Sequence, residues 1–222
     1  MTLLLINLFL AVIPAFLLVR YFYRQDRQKP EPRTLVWKLF ILGFFAVLPA
    51  LFLEIFIGGF TLLTTGVIRN LADAFIQAAL VEEGIKLAVI MLFVYRRREF
   101  DEVYDGIVYT IAASLGFACF ENLMYSFGSP ATILIRGFTA VPLHAIASGI
   151  MGYYIGRSRY YPGHLILRGF TLAVLIHGLY DFFLFTGGAL SFLVFPLLYL
   201  GGRRLLQLVR IALAEDRMAG RS

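Results

Sequence analysis

Long, uninterrupted apolar runs dominate this 222-residue chain and constrain its fold more than any other feature. Residues of the apolar set make up 60% of it and charged residues only 15%, which is not the composition of a water-soluble domain of this size. The runs do not alternate apolar and polar with period two, so an outer-membrane barrel is excluded as the reading. Helices remain, because each satisfies its own backbone hydrogen bonds in hydrocarbon. At ~20 residues per crossing of a ~30 Å core, the sequence predicts an all-α, polytopic bundle of about seven spans: 2–20, 36–57, 71–95, 105–127, 132–156, 165–185 and 189–210. The breaks fall at turn-forming stretches: Lys29-Pro30-Glu31-Pro32, Gly58-Gly59, Gly128-Ser129-Pro130, Tyr161-Pro162-Gly163 and Gly187-Gly188. The first run, Met1 to Val19, has no basic segment before it and no small-residue cleavage site after it, so it reads as a retained helix. One transmembrane domain is expected over 1–222, with a catalytic core at about 70–185 and a short, polar, fraying tail at 211–222.

The net charge of +6 does not indicate nucleic acid, because the basic residues flank the apolar runs and form no continuous patch. They record topology instead. All but three of the twenty Lys and Arg fall on one side: Arg20, Arg24, Arg27, Lys29, Arg33 and Lys38, then Arg96 to Arg98, Arg157, Arg159 and Arg168, and a C-terminal group from Arg203 to Arg221. Arg69 and Arg136 fall on the other side, and Lys86 lies within a span. Positive charge accumulates on cytoplasmic loops, so the N-terminus is expected outside and the C-terminus in the cytoplasm, in the multi-pass topology of a bacterial plasma-membrane protein. Cys119 lies alone in an apolar run and reads as a small core residue.

Eight ionisable residues fall within the spans: Glu54, Glu82, Glu83, Lys86, Glu121, His144, His177 and Asp181. Each costs roughly 2.5–3.5 kcal/mol on insertion scales, so each needs a partner or a use. At ~1.5 Å per residue from the outer end of its span, Glu82 lies ~16 Å deep, Glu121 ~9 Å, His144 ~18 Å, His177 ~12 Å and Asp181 ~6 Å. Four helices thus bring polar groups to one layer, at or outside the midplane. Glu82 and Lys86 are four apart and share a face, as do His177 and Asp181. Lys86 reads as a structural counter-ion for the adjacent carboxylates. Glu54 reads as a snorkelling or locally paired residue, Asn122 as interhelical glue and His164 as a solvated loop residue. Two histidines with four carboxylates exceed what structural pairing requires, so Glu82, Glu83, Glu121, His144, His177 and Asp181 are the candidate catalytic set.

These motifs resemble the PrsW family of intramembrane proteases, more distantly related to the CAAX prenyl endopeptidases and bacteriocin-processing membrane proteases. The resemblance is carried by Glu82-Glu83-Gly84-Ile85-Lys86, Phe117-x-x-x-Glu121-Asn122, His144 and His177-x-x-x-Asp181, in order on consecutive spans over residues 70–185. It implies an endopeptidase acting on a single-pass membrane protein substrate near the extracytoplasmic side, with site-1 cleavage of an anti-sigma factor as the family's known role. In the prenyl endopeptidase relatives a glutamate of the paired motif and a histidine of the next motif activate water. Here Glu121 stands at that second position, and Lys86 stands one residue before the place of the relatives' arginine, so roles do not transfer directly.

Two chemistries fit the residues. In one, His144 and His177 with Glu121 or Asp181 hold a divalent metal, with zinc expected, while Glu82 or Glu83 is the general base. In the other, carboxylates and histidines work without metal. The rival from another class is a proton- or ion-coupled transporter, which lacks support because no paired interrupted helices are visible in two related halves. A non-catalytic membrane protein retaining the scaffold is a third alternative.

Overall fold

The computed structural model describes residues 2–25 and 29–221, with side chains from residue 6 onward. Arg27, counted above with the basic side, and Met1, which opens the first run, lie outside the described residues. Every regular element among those residues is helical. In chain order they are α1 (Thr2–Tyr23), α2 (Arg33–Thr61), α3 (Gly66–Ala72), a π-helical segment (Asp73–Ala79), α4 (Leu80–Phe93), α5 (Val103–Tyr125), α6 (Pro130–Phe138), α7 (Ala140–Arg157), α8 (Leu165–Thr186), a 3₁₀ turn (Gly188–Leu193) and α9 (Val194–Met218). Among the described residues, six stretches are long and apolar enough to cross a membrane: α1, α2, α5, α6 with α7, α8, and α9 with its preceding turn. The span expected at 71–95 is a continuous helical rod from Gly66 to Phe93, wound as α3, the π segment and α4. A π turn inserts extra backbone into the ladder and is found most often beside functional sites.

The ends of these helices follow local chemistry. Pro32 precedes α2, and Ser129 caps α6 by accepting a hydrogen bond from the Ala131 amide at 3.2 Å, with Pro130 in the first turn. Glu102 and Asp105 form a capping box at the start of α5. The span expected as one helix at 132–156 is broken at Thr139, whose backbone leaves the helical region (φ −122°, ψ −64°), so α6 and α7 are separate pieces. Of the stretch expected as a frayed helix end at 211–222, residues up to Met218 belong to α9, and Ser222 lies outside the described residues. There the buried Asp216 accepts from the Val103 and Tyr104 amides, both at 2.9 Å, satisfying donors at the open end of α5.

The bundle is built around α5. Of its stretch, 94% is buried inside the protein, against 28% for α2 and 11% for α9, whose outer faces present apolar side chains such as Phe52, Ile55 and Phe195. Such a surface belongs in lipid. Close approach of α5 to its neighbours depends on glycine. A Cβ on Gly106 would lie 2.3 Å from the Gly152 carbonyl oxygen of α7, and one on Gly116 would lie 1.9 Å from the Phe40 carbonyl oxygen of α2. Lipid tails are as apolar as leucine, so helices in a membrane associate through such contacts more than through a hydrophobic drive. Cys119 is buried and free, as its surroundings predicted.

Because the neighbour at Gly106 is backbone, the Gly106→Ala substitution forces α5 and α7 apart. Thermal unfolding in detergent is expected to show a loss of about 1–3 kcal/mol or more. The same change at Gly59, where a Cβ meets nothing within 4 Å, is expected to leave the midpoint nearly unchanged.

Candidate active site

Where the helices converge, α4, α5, α7 and α8 deliver all six candidate residues and Lys86 to one buried cluster. Lys86 has no exposed surface. Its ammonium donates to Glu82 Oε2 at 3.0 Å and Glu83 Oε1 at 2.8 Å, and faces His144 Nδ1 at 3.0 Å. The Phe117 ring lies 4.4 Å away, closing that side with its π face. The i,i+3 and i,i+4 spacings from Glu83 and Glu82 to Lys86 place all three on one stripe of α4.

The two glutamates have different surroundings. Glu83 is fully buried and accepts three hydrogen bonds: its Oε1 from Lys86 and from His177 Nδ1 at 3.0 Å, and its Oε2 from Ser148 Oγ at 2.8 Å. Glu82 pairs with Lys86 and turns the same Oε2 toward His177 Nε2, 3.9 Å away. Since Glu83 accepts at Nδ1, that nitrogen of His177 carries a proton, and Nε2 faces Glu82 Oε2 and Asp181 Oδ2, the latter at 3.3 Å. The His144 and His177 rings stand edge to face with centroids 5.1 Å apart. His144 Nε2 meets Glu121 Oε2 at 2.8 Å, and Arg136 Nη2 stands 3.6 Å from the same oxygen.

Glu82, His144 and His177 form a buried group whose ligand-type atoms all lie within 4.8 Å of one another. Two imidazoles and a carboxylate are a catalytic zinc-type donor set. Bonds of about 2.0–2.1 Å in tetrahedral geometry place ligand atoms about 3.3 Å apart, so the spacings of 3.3 and 3.9 Å around His177 Nε2 suit a divalent ion. Glu83 behind His177 is the carboxylate–histidine arrangement that orients a metal-binding imidazole. The compact group thus contains Glu82, whereas the ligand set read from the sequence held Glu121 and Asp181. Those two carboxylates contact one histidine each.

Two residues of the cluster escaped the sequence reading. Ser148 lies one helical turn beyond His144 on α7, a spacing that could have flagged it. Arg136 counted only as a charge of the less basic side, because nothing in the sequence indicates that α6 brings it within 3.6 Å of Glu121. Asn122 does act between helices: its Nδ2 donates to the Ala11 carbonyl of α1 at 3.4 Å, and its Oδ1 accepts from Arg136 Nε at 2.9 Å. Exposed His164 precedes α8. Glu54 of α2 lines a cavity of about 620 Å³ between α2, the π segment and α8.

Carboxylates and histidines gathered at bilayer depth, with the donor set of a hydrolytic metal centre, define the class as an intramembrane metalloprotease. A family model described as PrsW family intramembrane metalloprotease matches residues 31–201. The chain is 38% identical over 182 residues to protease PrsW of Geobacillus kaustophilus, covering 78% of this chain and 77% of that protein. With protease PrsW of Bacillus subtilis it shares 33% over 183 residues, covering 78% and 80%. With that of Oceanobacillus iheyensis it shares 34% over 193 residues, covering 85% and 87%. No solved structure matches the chain. The chain therefore belongs to the PrsW family, and it is a hydrolase of peptide bonds in the membrane, not a transporter.

The buried charge network makes a stability prediction. Replacing Lys86 with Met leaves Glu82 and Glu83 without their shared cation, and is expected to destabilise the detergent-solubilised protein by about 3–5 kcal/mol. Adding Glu83→Gln is expected to recover part of that loss, so a double-mutant cycle in thermal unfolding should return a coupling energy clearly above zero.

Proposed function

We propose that this protease cleaves a single-pass membrane protein, of the class of membrane-anchored anti-sigma factors, on the extracytoplasmic side, using a zinc ion held by Glu82, His144 and His177. The convergence of those three side chains from α4, α7 and α8 is the observation that supports the reading most directly. The one-sided distribution of Lys and Arg supports an N-terminus outside and a cytoplasmic C-terminus, which places the cluster toward the outer face.

A bound zinc ion supplies Lewis acidity, lowering the pKa of a water and polarising the scissile carbonyl. The chain's own groups do the rest. Glu83, fully buried and held by Lys86, Ser148 and His177, fixes the His177 ring, which makes it a positioning residue and not the base. Glu82 stands in the ligand group. The general base is then Glu121, whose carboxylate retains partial exposure at 18% and already bonds His144 Nε2. The proton taken from water there passes from the Glu121 carboxyl to the leaving amine, while the His144 contact holds that carboxylate in place. The Arg136 guanidinium beside Glu121 faces the developing oxyanion. Asp181, 3.3 Å from His177 Nε2, is either a fourth ligand or a brace for that ring.

Substrate reaches the cluster through the cavity lined by Glu54, Gly58, Thr61, Arg69 and Gln77. Two of its wall residues, Ala78 and Phe185, lie one helical turn from Glu82 and Asp181. Its lining sets Thr61, Arg69, Asp73 and Gln77 among apolar walls, so it offers hydrogen-bond partners to an unwound peptide backbone.

Purified protein is expected to contain stoichiometric zinc, measured by elemental analysis, that is lost in His144→Ala and His177→Ala and retained in Glu121→Gln. All three variants should lose cleavage of a single-pass substrate by a factor on the order of 10² or more. Zinc-free protein that still cleaves would sink the metal chemistry while leaving the protease intact. Separately, Ala78→Trp is expected to raise KM for a membrane-anchored substrate with zinc content unchanged, whereas unaltered KM would move the entry route elsewhere.

A further inference from the structure

A second built cavity lies away from the catalytic cluster. Between the last turns of α1 and the first turns of α2, a groove of about 370 Å³ is walled by Phe16, Leu17, Val36 and Trp37 and rimmed by Arg20, Arg24 and Arg33. Phe16, Trp37 and Phe40 pack ring to ring at 5.2–5.5 Å, forming one continuous aromatic wall. The Tyr23 hydroxyl donates to the Glu31 carbonyl at 3.0 Å, tying the end of α1 to the approach of α2 and holding the two arginine-bearing ends together.

The rim differs from other basic positions of the protein. Arg97 pairs with Glu99, Arg157 with Glu215 and Arg221 with Asp216, while Arg168 and Arg203 lie over Tyr154 and Tyr199. Arg20, Arg24 and Arg33 come from two helices to one opening, and among the described residues no carboxylate pairs with them. Topology alone requires positive charge near a helix end. It does not require three guanidiniums around an aromatic slot.

We propose that this groove binds an anionic diacyl phospholipid, with the phosphodiester headgroup held by Arg20, Arg24 and Arg33 and an acyl chain laid against Phe16, Leu17 and Trp37. Guanidinium forks match phosphate oxygens, and basic pockets between membrane helices select anionic headgroups over zwitterionic ones. A free phosphate ion satisfies the rim only; the exposed apolar wall, with Leu17 60% and Trp37 40% accessible, calls for a chain beneath it. The bound lipid bridges α1 to α2, which packs directly on α5, and so stabilises the scaffold that carries the active site.

Trp37 is the sole tryptophan, so its fluorescence reports on this groove alone. The full chain is reconstituted in phosphatidylcholine nanodiscs containing a minor fraction of bromine-labelled phosphatidylglycerol or, in parallel, the same fraction of bromine-labelled phosphatidylcholine. Brominated phosphatidylglycerol is expected to quench Trp37 as though enriched about fivefold or more over its mole fraction, the effect of roughly one surface guanidinium or more. The excess should vanish in the Arg20→Gln, Arg24→Gln, Arg33→Gln variant and persist in Arg203→Gln, Arg204→Gln, Arg210→Gln, which removes equal charge elsewhere. Equal quenching by the two lipids in the wild type overturns the proposal, as does an excess that survives the first triple substitution. Reversal of the excess by inorganic phosphate alone overturns the assignment to a lipid. If the triple variant does not fold, Arg24→Gln and the wild-type lipid comparison carry the test.

Discussion

A lysine ammonium with no exposed surface, at the depth of a bilayer, is the constraint around which this site is arranged. Lys86 can stay charged there only because Glu82, Glu83 and His144 surround it and the Phe117 ring covers it. The carboxylates in turn need the lysine: an unpaired glutamate in hydrocarbon costs several kcal/mol. Mutual need fixes the rotation of α4 about its axis, because only one stripe of that helix can face α7 and α8. Once that stripe is inward, Glu83 meets Ser148 and His177, and Glu82 is left to look into the space between the histidines. Electrostatic satisfaction and catalytic placement are therefore one arrangement, and the buried hydrogen bonds hold the histidine rings before any substrate arrives.

Packing makes that arrangement possible. The cluster spans four helices, and its hydrogen bonds of 2.8–3.0 Å tolerate little separation between them. Backbone contact at Gly106 with Gly152 brings α5 against α7, which sets Glu121 within reach of His144. Next to His177, Gly178 leaves room for the Phe75 ring, whose Cδ1 would lie 2.3 Å from an added Cβ, so the π segment packs close against α8. That segment also forms one wall of the cavity lined by Glu54. Beyond the core, Asp216 of α9 caps α5 from below and Asn122 ties it to α1, so the central helix is held at both ends by polar contacts in an otherwise apolar assembly.

How much of this was legible beforehand differs by feature, for physical reasons. The spans could be read because the hydrocarbon core demands about 20 apolar residues at a time and local turn chemistry marks the gaps. The membership of the cluster could be read because charge is so costly in lipid that Glu82, Glu83, Lys86, Glu121, His144, His177 and Asp181 stand out in any apolar run. Ser148 and Arg136 do not stand out in that way. A serine in a membrane helix is cheap and common, and an arginine near a loop ordinarily signals topology. Nor could the polar tail be recognised as structure, since the capping of α5 by Asp216 joins residues more than a hundred positions apart.

By itself the sequence determined that this chain spans a membrane as helices and carries an ionisable cluster on four of them, because both follow from transfer costs that act residue by residue. Only the tertiary structure decided how the adjacent glutamates divide their partners. Neighbouring helical positions differ by about 100°, and the division belongs to the groups across the interface: Ser148 and His177 Nδ1 hold Glu83, while Glu82 shares Lys86 and stands 3.9 Å from His177 Nε2. The same holds for Arg136, whose contacts with Glu121 and Asn122 come from α6 packing against the end of α5, an arrangement with no local signature.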